Sequence, residues 1–253
     1  MTKLTTILFA AATLVLSGCR PVAPSASSTS APAPTSKAAP IRVALFLDQS
    51  ASTSWTRTPD ISTADLAAFT EVLRKGGGEL AFGLVRERSN RGLVRCSIAL
   101  PPEAPAPIPS SGNPFDLARA RAAQKPRQTA YEQQLIEWQQ TADAEINRFL
   151  KEASPLLSQR NARRTDIGGA VRRARLFLDE PSSTTQERWA IFASDLIDTV
   201  HVPADPLPAD VRILVANGGM PLPQGMPLFP RFQQLESMKA VVRYFQEQTK
   251  SRS

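Results

Sequence analysis

Ile41-Arg42-Val43-Ala44-Leu45-Phe46-Leu47-Asp48-Gln49-Ser50-Ala51-Ser52 is the stretch on which the fold turns. Across 41–47 only Arg42 is polar, and there is no apolar/polar alternation. A strand of that kind has both faces covered, as in a mainly parallel sheet with helices on either side. The run ends abruptly in Asp48 and an oxygen-rich loop. In open α/β sheets such loops, beyond the carboxyl ends of the strands, are where ligands collect.

Working outward, 62–75 places Leu66, Phe69, Val72 and Leu73 at helical spacing and stops at Gly76-Gly77-Gly78, a glycine terminator. Residues 80–85 and 93–100 flank a polar turn with Asn90 and Gly92, which predicts a hairpin at one edge. The Pro-rich stretch 101–114 opens a surface insertion reaching to about 128. Helices are predicted over 131–157, 166–178 and 232–248, and further strands over 189–193 and 211–216. Thr165 is expected at the N-cap of the second of these helices, with Asp166 in its first turn. Strands alternating with helices give an α/β class with a mainly parallel sheet, helices on both faces and one edge hairpin. Residues 41–253 suffice for one domain with one core.

The start of the chain reads differently. Lys3 precedes an apolar run over 7–16 that is too short for a permanent bilayer span and matches a signal peptide, here 1–18. Leu16-Ser17-Gly18-Cys19 resembles the lipobox of bacterial lipoproteins, which implies lipidation of Cys19 and anchoring by acyl chains. Arg20 stands where Asp would mark inner-membrane retention, so the outer membrane, facing the periplasm, is expected in a Gram-negative cell. Residues 21–40 hold only Pro, Val, Ala, Ser, Thr and one Lys, a solvated tether. Cys96 is then the one thiol besides Cys19, and no internal disulfide is available. The formal charge of +7 falls to +6 once Lys3 is lost with the leader. In an exported protein this suits anionic envelope surfaces, and no nucleic-acid partner is expected.

Three oxygen-rich loops fall at strand ends or helix starts: Asp48 to Ser52, Thr165-Asp166, and Ser194-Asp195-Leu196-Ile197-Asp198. An Asp-x-Ser-x-Ser loop, a Thr before a Gly-containing helix and a later Asp after a strand, in this order, resemble the metal-ion-dependent adhesion site of the von Willebrand factor A (vWA) family. The resemblance covers 41 to about 216 and extends to the final helix. It implies a vWA-like, Rossmann-like fold in which Ser50, Ser52 and Thr165 offer hydroxyls while Asp48 and Asp195 bind directly or through water. It also implies Mg2+ (or Mn2+ or Ca2+) and a protein partner that supplies an acidic side chain to the open position. Magnesium takes oxygen ligands and keeps several waters, which fits this donor set. Asp198, Gln49 and Trp55 are expected in the second shell or at the rim, with Arg57 near the first loop. Arg163, Arg164, Arg172, Arg173 and Arg175 surround the Thr165 helix and suit an acidic partner. There are departures from the family pattern. Leu196 stands where the family usually has Gly, and 196–210 is too Pro-broken for the usual helix. Little room remains for a last strand in 218–230, so about five strands are expected.

An enzyme needs a nucleophile with a base, a carboxylate pair at work, or a metal with a substrate pocket. His201 is isolated in a loop and Cys96 lies in a predicted strand, so no catalytic residue is assigned. The expected function is therefore metal-dependent protein binding from a lipid-anchored, envelope-displayed domain. The alternatives are a metal-dependent hydrolase and a structural envelope protein with a degenerate metal site.

Overall fold

A computed structural model describes residues 39–250, apart from 90–91, 159–161, 183–185, 221–226 and 230, and apart from the side chains of residues 54 and 55. The leader, Cys19, the tether to residue 38 and the Asn90 turn residue lie outside these.

Among the described residues, six strands form one sheet in the order β3-β2-β1-β4-β5-β6. They are β1 (Ile41–Asp48), β2 (Gly78–Val85), β3 (Val94–Ile98), β4 (Glu187–Ala193), β5 (Arg212–Ala216) and β6 (Gln233–Leu235). All neighbours are parallel except β2 and β3, the predicted edge hairpin. The chain runs from β1 to β2 on one side and later places β4 on the other. The crevice between β1 and β4 is thus a topological switch point.

Both faces of β1 are covered, as its sequence requires. Val43, Leu45 and Leu47 enter one core with Leu66, Phe69, Phe149, Trp189 and Phe245. Ala44 and Phe46 enter the other, with Ala170, Phe177, Phe192 and Val215. Helices α2 (Thr63–Gly76), α3 (Pro114–Leu157) and α5 (Met238–Lys250) supply the first core, and α4 (Ile167–Leu178) the second. Arg42, buried in this apolar run, donates through its terminal nitrogens to the carbonyls of Phe177 and Glu180 and to Glu79, while its Nε is left without a partner among the described residues. The α/β class expected from the sequence, with a mainly parallel sheet, helices on both faces and one edge hairpin, is what the chain adopts.

Four expectations are corrected. Helix α3 starts at Pro114, not near 131. Asn113 caps it by accepting from Phe115 N, Pro114 takes the first position, and Pro126 lies inside the helix. At about 1.5 Å per residue α3 is about 66 Å long. Its buried residues, Ala142, Ile146, Phe149 and Ala153, all lie in the C-terminal part, while Phe115 is 84% exposed. Pro126 is therefore tolerated where the carbonyl it leaves unbonded can reach water. The insertion shrinks accordingly to the irregular segment between β3 and Asn113. The sheet has six strands rather than five, because Gln233–Leu235, assigned to the last helix, pairs with β5 and α5 begins only at Met238. Asp166, not Thr165, is the N-cap of α4, its side chain accepting from Gly169 N. No helix forms over 196–210, as the prolines predict.

Candidate metal site at the sheet's switch point

Asp48 ends β1 and Asp195 follows β4, so both stand at the mouth of the β1/β4 crevice. The two loops start alike. Asp48 Oδ1 accepts from Ser50 N at 2.9 Å, and Asp195 Oδ1 accepts from Ile197 N at 3.0 Å, an Asx turn in each. The other carboxylate oxygen reaches across. Ser194 Oγ donates to Asp48 Oδ2 at 2.6 Å, and Thr56 Oγ1 donates to Asp195 Oδ2 at 3.1 Å. Each loop thus lends a hydroxyl to the other's carboxylate, a reciprocal clasp. Ser194 Oγ also accepts from Leu196 N at 2.9 Å. Neither Ser194 nor Thr56 is assigned a role by the sequence reading. A serine beside Asp195 is visible in the sequence, but Thr56 carries no signal because its role depends on pairing between distant strands.

Ser50 Oγ and Ser52 Oγ lie 2.9 Å apart beside Asp48. The second loop docks through a bridge between Ser50 and Ala162, with Ala51 N donating to Ala162 O and Ala162 N to Gln49 O. This brings the chain to Thr165, which is 1% exposed. Thr165 N donates to Thr199 Oγ1 at 2.8 Å, and Thr199 N donates back to Thr165 O at 3.0 Å. Thr199 is four residues past Asp195, so the second and third loops are tied by their backbones. Asp198 orders that connection, accepting from Val200 N, His201 N and Gly168 N. Among the described residues it hydrogen-bonds none of the five expected ligands. Gly168 is required here, since a Cβ would sit 1.9 Å from Val202 O.

Gln49 is not at the rim. It is fully buried, its Nε2 donating to Leu156 O and its Oε1 accepting from Arg86 Nε, which fastens the loop to the end of α3. Trp55 belongs to the short helix α1 (Ser52–Trp55), and its side chain lies outside the described residues. Arg57 is exposed with φ +54, and its carbonyl meets Gly218, where a Cβ would lie 2.3 Å away. In the third loop Leu196 takes φ +58, the left-handed region that glycine enters freely. Its side chain is 2% exposed, anchored in the second core.

Asp48 is 0% and Asp195 4% exposed, yet among the described residues neither pairs with a Lys, Arg or His. Burial pushes the Asp48 carboxyl above the usual carboxylate range. Hydrogen bonds from Ser194 and Ser50 oppose that shift, and the Asp195 charge adds to it. Buried charge without compensation is costly. Two carboxylates and a hydroxyl pair at one strand end, with the Thr165 loop docked beside them, make a donor set suited to a hard cation. No group of three or more His, Cys, Asp or Glu occurs among the described residues, so any metal here relies on hydroxyls as well.

The arginines differ individually. Arg175 pairs with Asp179 and Asp205. Arg173 lies over the Phe46 ring and donates to Ser89 O, and burial lowers it to about 10 against the opposing Asp166 charge. Arg164 and Arg172 donate to Thr199 O and Pro203 O.

No family model matches the chain, and no curated protein matches it. Among solved structures the chain is similar to a von Willebrand factor type A protein from Catenulispora acidiphila. The identity is 14%, covering 85% of this chain and 43% of that one, at a TM-score of 0.44. It is also similar to proximal thread matrix protein 1 from the mussel byssus, at 8% identity over 83% and 47% of the two chains and a TM-score of 0.40. A third is the pilus adhesin SpaC from Lactobacillus rhamnosus GG, at 12% identity over 85% and 30% and a TM-score of 0.40. The chain spans less than half the length of each of these. At such identities the likeness is one of fold, and the fold here rests on the strand order and pairing described above.

Proposed function

We propose that the chain is an envelope-tethered, metal-dependent protein-binding module rather than an enzyme, with Asp48, Ser50, Ser52, Thr165 and Asp195 as its cation ligands. One observation carries the reading: two buried carboxylates share the switch-point crevice with no cationic side chain beside them. A divalent cation compensates both charges at once. When bound, it supplies positive charge and an open coordination position for an acidic side chain of a partner protein. The chain's own part is to hold the ligands. The two Asx turns aim the carboxylates, Ser194 and Thr56 lock their second oxygens, and the Ala162 bridge seats the Thr165 loop.

Two further features support binding over catalysis. His201 is exposed and meets the site only through its backbone N–H. The Cys96 thiol, buried on β3 and near Glu145, is pushed up to about 12, which leaves it inert at neutral pH. The lipid anchor at Cys19 and the tether place such a module on the outer membrane, facing the periplasm, in a Gram-negative envelope, a proposal resting on the leader sequence alone.

The test is thermal unfolding of the full-length protein in mild detergent, in chelator and in millimolar Mg2+, Mn2+ or Ca2+. A ligand at about a hundred times its Kd stabilises the folded state by about 2.7 kcal/mol. Wild type should gain that order of stability, and Asp48→Asn should gain none. In chelator the Asn variant should lie close to wild type, because removal of a buried charge offsets the loss of one of the two acceptors that serve Ser50 and Ser194. A wild type indifferent to all three ions would overturn the metal site.

A further inference from the structure

Most arginines that line the sheet or helices have a carboxylate. Arg42, Arg74, Arg95, Arg148, Arg188 and Arg212 each face one. Four that line one cleft do not. Arg88, Arg164, Arg172 and Arg173 surround a cleft of about 650 Å³ along α4, and among the described residues none of them is ion-paired. The two acids in its wall are already engaged by backbone. Asp166 accepts from Gly169 N and Ser89 N, and Glu87 accepts from Arg163 N. Arg164 and Arg172 are each held by a single carbonyl, which fixes the guanidinium and leaves most of its five N–H donors free.

We infer that this cleft binds an acidic peptide segment of the partner protein, and that the segment continues from the residue whose side chain reaches the cation. This rests on the metal-dependent binding proposed above, because Thr165 lies between Arg164 and Asp166 of the cleft wall. Gly169, Arg172, Arg173 and Leu176 share one face of α4 at spacings of three and four residues. From Asp166 to Leu176 the helix rises about 15 Å, the length of four or five extended residues. The lining is also partly apolar: Leu176, 67% exposed, stands at the C-terminal end of that face, and Val200 and Val202 line the cleft as well. A peptide carries carboxylates for the arginines and an apolar side chain for Leu176. A phosphate polymer offers only the first. Planar, bidentate pairing of guanidinium with carboxylate suits the four unpaired arginines.

The experiment measures fluorescence anisotropy of labelled hexaglutamate with the full-length protein in chelator and low salt. Wild type should bind, and added salt should weaken the binding. The double charge reversal Arg88→Glu with Arg172→Glu should weaken it at least about tenfold. Equal charge removed elsewhere, Arg119→Glu with Arg121→Glu on the exposed part of α3, should change it less than about twofold. Arg88→Gln alone touches no hydrogen bond described here and should weaken binding about threefold, which keeps the test sound if the double variant misfolds. No wild-type binding, or equal loss in cleft and control variants, would overturn the inference. So would inorganic polyphosphate displacing hexaglutamate while binding more tightly. Mg2+ separates the two readings. Added to wild type in place of chelator it should raise the affinity for hexaglutamate, and Asp48→Asn should show no such gain. Cleft binding without that gain retains the acidic-peptide cleft but removes the metal reading and, with it, the continuity of the segment with a cation-bound residue. A metal-raised melting point without cleft binding does the reverse.

Discussion

The loops after β1 and β4 start from the same local solution and diverge by their third residue. Each begins with an aspartate at a strand end whose Oδ1 accepts from the backbone two residues on. After that, the β1 loop stays in ordinary backbone conformations and is held by neighbours, through the Ala162 bridge and Gln49. The β4 loop turns through Leu196 at φ +58 and is held from below, by the Leu196 side chain in the second core. Burial of a large side chain thus stands in for the conformational freedom of glycine. The same turn can be secured by lowering its backbone cost or by outweighing it.

The sharpest way to break this comparison is Leu196→Gly. The change relieves roughly 1–2 kcal/mol of left-handed backbone strain but forfeits roughly 2–5 kcal/mol of packing. Urea unfolding should show a net loss of about 2 kcal/mol. A gain in stability would mean that strain, not anchoring, dominates the loop.

Next comes the clasp. Ser194→Ala removes a buried donor to Asp48 and the acceptor for Leu196 N, and should cost about 2 kcal/mol. Thr56→Val removes one part-buried bond to Asp195 and should cost about 1 kcal/mol. If the two hydroxyls act as one device, the double variant will depart from the sum by about 0.5 kcal/mol or more. Strict additivity would mean two independent loops. The smallest effect is in Cys96, distant from both. Its thiol should resist Ellman's reagent at pH 8 in native wild type, and in Leu196→Gly it should react faster only in proportion to global unfolding. Fast labelling without loss of stability would reveal local opening of β3 instead.

Much of this was legible in the sequence because it follows from composition at single positions. The unbroken apolar run into Asp48 gives a strand covered on both faces, and the prolines of 196–210 exclude a helix. The helix expected over 62–75 forms, and its first residue, Ser62, is the cap, with a reciprocal bond to Asp65. What escaped depends on partners far away in sequence. Gln49 is polar and sits in a polar loop, yet faces Leu156 and Arg86, and no local pattern reports that. The apolar stripe announces α3 only from 131, because the turns before it, Pro126 among them, face solvent and carry no stripe. Gln233–Leu235 is a short, largely polar edge strand, and it continues without a break into an amphipathic helix, so periodicity alone assigns it to the helix.

The clasp has a kinetic consequence. Its two hydrogen bonds join residues 146 and 139 positions apart. Neither can form until β1 and β4, first and fourth in the chain, have found each other across everything folded between them. Closing loops of that length is slow, and parallel pairings with intervening helices are among the later events of folding. The unfolded chain therefore holds the fragments of the site but no site. Assembly of the clasp coincides with completion of the central sheet. Any ligand that needs both aspartates discriminates between a finished molecule and every partly folded one that precedes it.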